Sequence, residues 1–436
     1  MKPASATAVA EAPFLHSRNM PMLAFTNARV FDGLNDGLKD ATVLVEGERI
    51  KSVSEAPPPA GAEIVDCGGR VLMPGLIDAH IHAYFYDMNV TRLQRLPVTM
   101  YAHHAANMLG DMLDRGFTSV RDTGGADYGL WLAIRDGLIK APRLFYCEKA
   151  LSQTGGHVDM RHQHEFNACD DHLVACGCCH ANPLGVVVDG VDAVRRVVRE
   201  NLRRGASFIK FCGSGGASTT SDPLDGIQFS NDEVRAIVEE VENHLVYCTA
   251  HIHPDRALKR AVELGVHCIE HGTLIEPDTA RMAADRGTYI VPTLAVIAGL
   301  AEKGELFGYP PESIAKIDRI KGEAIERLNH MKDAGVKVGF GTDLIGAIQP
   351  MQCIEFSLRA PVFSNFEILH QATGMNAEII GAKGDLGTIA ADAYADIIVV
   401  DGNPLEDLKL MEDDGAHIPI VMKGGQFHRN RLEANP

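Results

Sequence analysis

Residues 73–82, MPGLIDAHIH, carry the strongest local signal of the fold. The apolar run after Gly75 predicts a buried β-strand at 76–82. Side chains two residues apart on a strand point to the same face, so His80 and His82 lie side by side. Two imidazoles on one face can chelate one metal ion. The stretch therefore predicts a strand that ends in part of a metal site.

From residue 74 to about 375, short apolar segments alternate with amphipathic ones, a pattern typical of βα units around a parallel sheet. Strands are predicted at 76–82, 118–123, 143–151, 207–212, 246–251, 267–271, 289–294 and 337–343. Helices are predicted at 99–115, 128–139, 191–204, 230–243, 255–264, 277–286, 312–334 and 365–373. Eight such units predict an α/β protein with a closed (β/α)8 TIM barrel. An open doubly wound sheet is the alternative, but no G-x-G-x-x-G follows the first strand.

The segments on either side of the barrel have β character with polar turns. Residues 22–73 and 383–430 are predicted to form one small β-sandwich built from both ends of the chain. The expected organisation is an N-terminal tail at 1–21, this sandwich, and a metal-binding catalytic barrel at 74–382. A long insertion, residues 152–190, follows the third strand and is expected to shape the active site.

The composition excludes several classes of protein. The 436 residues are 46% hydrophobic and 23% charged, which are ordinary values for a globular chain. The net charge of −17, without a basic stripe, argues against nucleic-acid binding. No apolar run reaches the roughly 18 residues of a membrane helix. Residues 1–20 lack the apolar core of a secretion signal, so we expect a cytoplasmic protein with no membrane partner.

Polar residues also stand where other predicted strands end: Lys210, His251, His271 and Asp343. Each has an ordinary structural explanation; Lys210, for example, can be a paired lysine, and Asp343 a helix cap. Together with His80 and His82 they would meet at one end of the barrel, where catalytic residues concentrate. An ammonium cannot bind a cation. The lysine amine can react with CO₂, however, and the resulting carbamate can bridge two metal ions.

Several motifs resemble those of the binuclear metal-dependent amidohydrolase superfamily. They are MPGLIDAHIH, FIKFCGSGG (208–216), TAHIH (249–253), IEHGT (269–273), GFGTD (339–343) and GTIAADAYADIIVVDGNPL (387–405). The similarity covers about residues 22–430. It is greatest to the prolidase-like and imidazolonepropionase-related branch, which includes enzymes acting on dipeptides and N-acyl amino acids and the ochratoxin-hydrolysing amidohydrolases.

This resemblance implies a role for each candidate ligand. His80, His82 and Asp343 would hold the more buried metal, and His251 and His271 the second. N6-carboxylated Lys210 would bridge the two ions, together with a hydroxide that attacks the substrate. Asp343 would also carry a proton from that hydroxide to the leaving amine. Zinc is the favoured metal, with manganese or cobalt tolerated. The resemblance also implies a homo-oligomer, of which an octamer is one form.

Four further residues are candidates for substrate contacts. His157, in TGGH (154–157), can hydrogen-bond the substrate carbonyl or the oxyanion, or can stabilise its loop. His253 can contact substrate or exchange roles with His251. Tyr84 and Arg161 are candidates to line the specificity pocket, with packing or surface roles as the alternatives.

The insertion also contains a group of cysteines that invites another interpretation. Cys169, Cys176, Cys178, Cys179 and His180 lie within twelve positions of one another. A structural zinc site and a disulfide are possible, but the spacing differs from the usual C-x₂-C pattern. We expect free thiols, which suit a chain without a secretion signal.

The sequence thus predicts hydrolysis of the C–N amide bond of dipeptides or N-acyl amino acids. One special case of this predicted reaction is the conversion of ochratoxin A to ochratoxin α and phenylalanine. The alternatives on the same scaffold are a cyclic-amide, urea-type or carbamate hydrolase and a deaminase. A non-catalytic binding protein that reuses the barrel is a third alternative, which predicts no bound metal.

Overall fold

The structure is a computed structural model that describes residues 21–161, 182–219 and 222–432. Most of the predicted tail (1–21) and the cysteine group at 169–180 lie outside the described residues. Five strands come first: β1 (Leu23–Val30), β2 (Lys39–Glu46), β3 (Arg49–Ser54), β4 (Glu63–Asp66) and β5 (Val71–Pro74). β1 is the centre of this group, because it pairs with β2, β4 and β5.

The next strands are all parallel and form the barrel wall. They are β6 (Leu76–Ile81), β7 (Phe117–Asp122), β8 (Arg143–Tyr146), β9 (Ala150–Ser152), β10 (Gly185–Val187), β11 (Ile209–Cys212), β12 (Cys248–Pro254), β13 (Cys268–Leu274), β14 (Tyr289–Val291) and β15 (Lys337–Val338). Their order is β6-β7-β8 in one sheet and β10-β9-β11-β12-β13-β14-β15 in the other.

Single backbone hydrogen bonds join these two sheets into a closed barrel. The amide of Ala79 donates to the carbonyl of Phe340 at 2.9 Å, which links β6 to the chain just after β15. The amide of Ser207 donates to the carbonyl of Tyr146 at 2.8 Å, which links the approach to β11 with β8. The predicted TIM barrel is therefore confirmed.

Helices separate the strands and cover the barrel. They are α1 (Val90–Leu93), α2 (Val98–Asp114), α3 (Tyr128–Arg135), α4 (Val191–Arg203), α5 (Asn231–Asn243), α6 (Asp255–Glu263), α7 (Pro277–Arg286), α8 (Leu294–Lys303), α9 (Pro311–Asp333), α10 (Ile354–Arg359), α11 (Asn365–His370) and α12 (Asn376–Ile379). The start of α5 shows the local signal clearly: Ser230 and Glu233 form a reciprocal capping box. In the described residues, no helix is both long and apolar enough to cross a membrane.

The chain ends in three strands that return to the first sheet: β16 (Ile397–Val400), β17 (Ile420–Lys423) and β18 (Gln426–Asn430). β16 pairs antiparallel with β5, so both ends of the chain build one structure. Alternate residues of β16 serve two cores. Ile397 packs with Phe25 in the sandwich, whereas Ile398 packs with the barrel core. The predicted sandwich from both termini is confirmed.

The structure differs from the predicted elements at several places, two of which have a clear physical cause. The predicted strand 143–151 is interrupted between β8 and β9, where Glu148 has a φ of +62° that an extended chain does not adopt. The predicted strand 289–294 and the following loop contain α8. Residues along most of α8, such as Val296 and Leu300, are buried, so the helix lacks the polar face that marks an amphipathic helix.

A buried ion pair ties α10 to the start of α8. Glu355 and Arg359 are both fully buried. Glu355 Oε2 accepts the backbone N–H of Ala295 at 2.6 Å. Arg359 donates to Glu355 Oε1 at 2.8 Å and to the carbonyl of Pro292 at 2.7 Å. Glu355 therefore stabilises the N-terminus of a helix to which it does not belong.

We expect Glu355→Ala to lower the free energy of unfolding by about 3–5 kcal/mol, because Arg359 would stay buried without its charge partner. Urea unfolding measures the loss. The matched control is Glu239→Ala, which removes a 58% exposed partner of Arg195 and should change stability far less. Equal losses for the two variants would contradict the structural role of the buried pair.

Candidate metal centre and active site

The carboxyl ends of the barrel strands bring the predicted ligand residues into one place. His80 lies in β6 and His82 just after it, Lys210 in β11, His251 in β12, His271 in β13, and Asp343 follows β15. All six side chains line a single cavity of about 700 Å³. The structure therefore places together the whole set that the sequence singled out.

Asp343 is the carboxylate at the centre of this group. Its Oδ1 lies 3.3 Å from Nε2 of His80 and 3.3 Å from Nε2 of His82. Its Oδ2 lies 4.0 Å from Nε2 of His271. Burial opposes ionisation, but the neighbouring His80 and His82 outweigh it and hold the pKa of Asp343 well below its usual range. Asp343 is thus a carboxylate that can serve as an oxygen ligand for a metal, surrounded by imidazole rings.

A second group contains three histidines. The ring nitrogens of His251, His253 and His271 come within 4.8 Å of one another. Burial, together with neighbouring imidazoles, lowers the pKa of His251 and of His271 well below the usual value. Burial and the nearby His157 lower the pKa of His253 to about 3. All three rings are therefore neutral near pH 7, which is the form that binds metal.

Two observations show that these donors fit metal ions. Nε2 of His251 is buried and has no hydrogen-bond partner among the described residues. Lys210 is only 3% exposed and lines the same cavity. Unpartnered polar atoms are costly in a protein interior, so Nε2 of His251 calls for a ligand. The two donor groups share His271, which is consistent with a binuclear site.

Two candidate ligand residues, His271 and Asp343, have strained backbone conformations. His271 and Asp343 have φ values of +71° and +53°, which side-chain-bearing residues rarely adopt. Such conformations persist where the surrounding structure imposes them, and they concentrate at functional sites.

Hydrogen bonds to the other ring nitrogen orient four of the histidines. Nδ1 of His80 is 2.7 Å from Glu270 Oε2, and Nδ1 of His82 is 2.9 Å from the carbonyl of Gly124. Nδ1 of His253 and Nδ1 of His271 each lie 2.7 Å from a threonine hydroxyl, those of Thr273 and Thr293. With Nδ1 occupied, each ring has Nε2 available toward the cavity.

Sequence reasoning missed the ion pair that supports His80. Arg121 Nη2 lies 2.6 Å from Glu270 Oε1, and neither side chain is exposed. Glu270 precedes His271 in the quoted IEHGT motif, and Arg121 interrupts the apolar strand TSVRDT. A charged residue inside an apolar strand was the available signal, because such a charge needs a partner.

The four predicted substrate residues have different positions. His157 lines the cavity, and its ring stacks on that of His251 with centroids 4.2 Å apart. His253 and Arg161 also line the cavity, and Arg161 binds Asp159 at 2.6 Å. Tyr84 is the exception. Its hydroxyl donates to Asp127 at 3.0 Å and its ring packs near Tyr101, so its position supports the packing alternative rather than a substrate contact.

Apolar side chains complete the cavity. They come from α8 and α9 and from two neighbouring loops: Val296, Ile297, Leu300, Ile317, Ile320, Phe85 and Ile345. We call this set the apolar wall. The sequence analysis predicts no helix or strand between the strand at 289–294 and the helix at 312–334, and it therefore did not locate this wall.

Fold and site together define a metal-dependent hydrolase of the TIM-barrel type. The chain belongs to the Amidohydrolase family, whose characteristic pattern it matches over residues 71–427. The family resemblance and the enzymatic class predicted from the sequence are thereby confirmed.

Similarities to individual proteins agree with this family assignment. Aspergillus niger ochratoxinase is 31% identical over 368 residues, which are 82% of this chain and 76% of that protein. The crystal structure of an amidohydrolase superposes with a TM-score of 0.90 at 43% identity, covering 94% of this chain and 99% of that one. A prolidase in complex with N-methylphosphonate-L-proline gives 0.89 at 41% identity, covering 94% and 100%.

Removing divalent metal should lower the midpoint of thermal unfolding, because a ligand that binds only the folded state stabilises it. At a free metal concentration 100 times the Kd, the gain is about 2.7 kcal/mol for each site. Differential scanning calorimetry of chelated protein, with and without added Zn²⁺, measures it. Mg²⁺ is the control and should have little effect, since it prefers oxygen ligands to imidazole. An unchanged midpoint with Zn²⁺ would contradict the metal site.

Proposed function

We propose that this hydrolase cleaves the C–N amide bond of dipeptides or N-acyl amino acids at a binuclear metal centre in the barrel, residues 74–382. The observation that carries the proposal is the convergence of six ligand-type side chains on one cavity that also has an apolar wall. Similarity to a prolidase and to an ochratoxinase supports amide substrates that contain an amino acid.

The proposed ligand sets are those that the family resemblance implies. His80, His82 and Asp343 would hold one ion, and both imidazoles lie 3.3 Å from the same carboxylate oxygen. His251 and His271 would hold the second ion. Lys210, carboxylated on its amine, would supply an anionic ligand to both, which accounts for a lysine that is only 3% exposed in this cavity. Zinc is the proposed metal, because imidazole, carboxylate and carbamate ligands suit it.

The chain's own residues divide the chemical work. Two bound divalent ions would supply Lewis-acid polarisation of the scissile carbonyl and a water of lowered pKa. Asp343 accepts the proton of the attacking water and delivers it to the amide nitrogen, which is a poor leaving group without it. His157 and His253 line the same cavity and can form hydrogen bonds with the substrate.

The apolar wall supports substrates with an apolar or aromatic side chain. Ile297 and Leu300 of α8 face the same cavity as Ile317 of α9, so a large side chain can be buried there. Phenylalanine amides of the ochratoxin kind meet this requirement. Arg161 is the proposed contact for the substrate carboxylate, since it is the guanidinium that lines the cavity in the described residues.

The experiment that tests the proposal combines metal analysis with a substrate panel. Purified protein is assayed by elemental analysis and against dipeptides, N-acyl amino acids and ochratoxin A, with amine release as the readout. About two zinc ions per chain and amide cleavage are the expected result. Cleavage of ureas, carbamates or cyclic amides instead, or release of ammonia by a deaminase reaction, would overturn the substrate assignment while keeping the metal site.

Lys210→Ala should reduce kcat/KM by at least about 100-fold and reduce the metal content toward one ion per chain, because the bridging anion is lost. Elemental analysis and the amide assay measure both effects. Lys210→Glu, which restores a carboxylate at this position, is the matched control and should recover part of the metal content. Unchanged turnover with two metal ions still bound would refute the bridging role.

Ile297→Asn should lower kcat/KM for N-acyl-phenylalanine by about 10-fold or more, while N-acyl-glycine changes little, because only the large side chain needs the apolar wall. Leu306→Asn, at a position that is 82% exposed, is the control. An equal loss for the phenylalanine and glycine substrates would show that the wall does not select the side chain.

Two other expectations remain proposals: a homo-oligomer, with an octamer as one form, and a location in the cytoplasm. Light scattering of the purified protein gives the mass of the assembly directly. The fractionation of cell extracts gives the location.

A further inference from the structure

The segments that follow β11, residues 213–219 and 222–230, carry a buried carboxylate that the proposed reaction does not use. We call these segments the Asp222 loop. Asp222 is 1% exposed, and its Oδ2 lies 3.1 Å from Nδ1 of His157. The same oxygen accepts the backbone N–H of Gly216 at 2.9 Å, and the hydroxyl of Thr219 donates to Oδ1. Asp222 therefore links the loop to a histidine of the cavity.

His157 is enclosed on several sides by this loop and by the metal site. Its ring is nearly parallel to that of His251, with 15° between the planes. Its backbone N–H donates to Gln228 Oε1 at 3.0 Å. A Cβ atom at Gly216 would lie 2.1 Å from Cε1 of His157, so only glycine allows the loop backbone to approach the ring this closely.

Lys316 fastens the loop to α9. Its Nζ donates to the carbonyls of Gly216 at 3.1 Å, Thr219 at 2.8 Å and Asp222 at 2.7 Å. A lysine ammonium has three donors, so these carbonyls use all of them. α9 also supplies Ile317 and Ile320 to the apolar wall. α9 therefore contributes side chains to the apolar wall and also holds in place the loop that binds His157.

We propose that Asp222 is a positioning residue that fixes the ring orientation of His157, and that Lys316 holds the Asp222 loop in place for it. With Nδ1 bonded to Asp222, the Nε2 atom of His157 is the ring nitrogen left for a hydrogen bond with the substrate. This inference rests on the proposed amide hydrolysis. The inference assigns a role in that reaction to two residues, Asp222 and Lys316, that do not line the cavity.

The expected effect is on the chemical step. A hydrogen-bonding group held in place interacts most strongly where charge develops in the transition state, so its loss lowers kcat more than it raises KM. Losing the partner that orients a metal-binding histidine costs about 10–100-fold. We expect Asp222→Asn to lower kcat within this range, with KM changed by less than about 3-fold and metal content unchanged, by analogy with such orienting partners.

A double-mutant cycle tests whether Asp222 acts through His157. In the His157→Ala background, Asp222→Asn should have little further effect on kcat, because the ring it orients is gone. Lys316→Met, which keeps the stem but removes the three donors, should give a smaller loss that also vanishes in the His157→Ala background. Full additivity of either substitution with His157→Ala would overturn the proposal.

A second readout does not depend on activity. Crystal structures of the wild type and Asp222→Ala should show the His157 ring stacked on His251 in the former and rotated out of that position in the latter. An unmoved ring in Asp222→Ala would overturn the proposal even if kcat fell. If the wild type cleaves no amide but the His157 ring still moves in Asp222→Ala, the proposed substrate class is refuted and the positioning role stands.

Discussion

The buried ion pair between Arg121 and Glu270 is the interaction on which the metal-site end of the barrel depends. It joins β7 to β13 across the barrel interior, with neither side chain exposed. A charge in this position is stable only with its partner, so the two strands must keep their positions relative to each other. Glu270 Oε2 also receives Nδ1 of His80, and the same carboxylate thereby orients an imidazole beside Asp343. The carboxylate of Glu270 therefore contributes both to the stability of the fold and to the geometry of the site.

The other side of the cavity is organised by helices. Thr293, at the start of α8, is hydrogen-bonded to Nδ1 of His271, and Glu355 of α10 accepts a backbone N–H from the first turn of α8. α9 carries Lys316, whose ammonium holds the loop around Asp222. The apolar wall and the polar site therefore share their supports.

Much of the fold could be predicted because the periodicity of the barrel segments is strong. The eight predicted strands correspond to β6, β7, β8, β11, β12, β13, β14 and β15, and the terminal segments form the predicted sandwich. The miss at α8 has a physical reason: a helix that is buried along most of its length has no polar face to reveal its period. The break at Glu148 depends on a left-handed residue that no composition rule marks.

The amino-acid sequence suffices to predict which side chains end the barrel strands, because side chains alternate along each strand and parallel strands share their carboxyl edge. These two rules bring six residues to one mouth of the barrel: His80, His82, Lys210, His251, His271 and Asp343. The partners of these residues become apparent only in the folded protein. Glu270 and Asp222 are buried carboxylates whose function depends on which charge lies opposite them, and Tyr84 turns to Asp127 instead of the cavity. Periodicity is a local property of the chain, whereas a hydrogen bond between distant segments exists only after the barrel has closed.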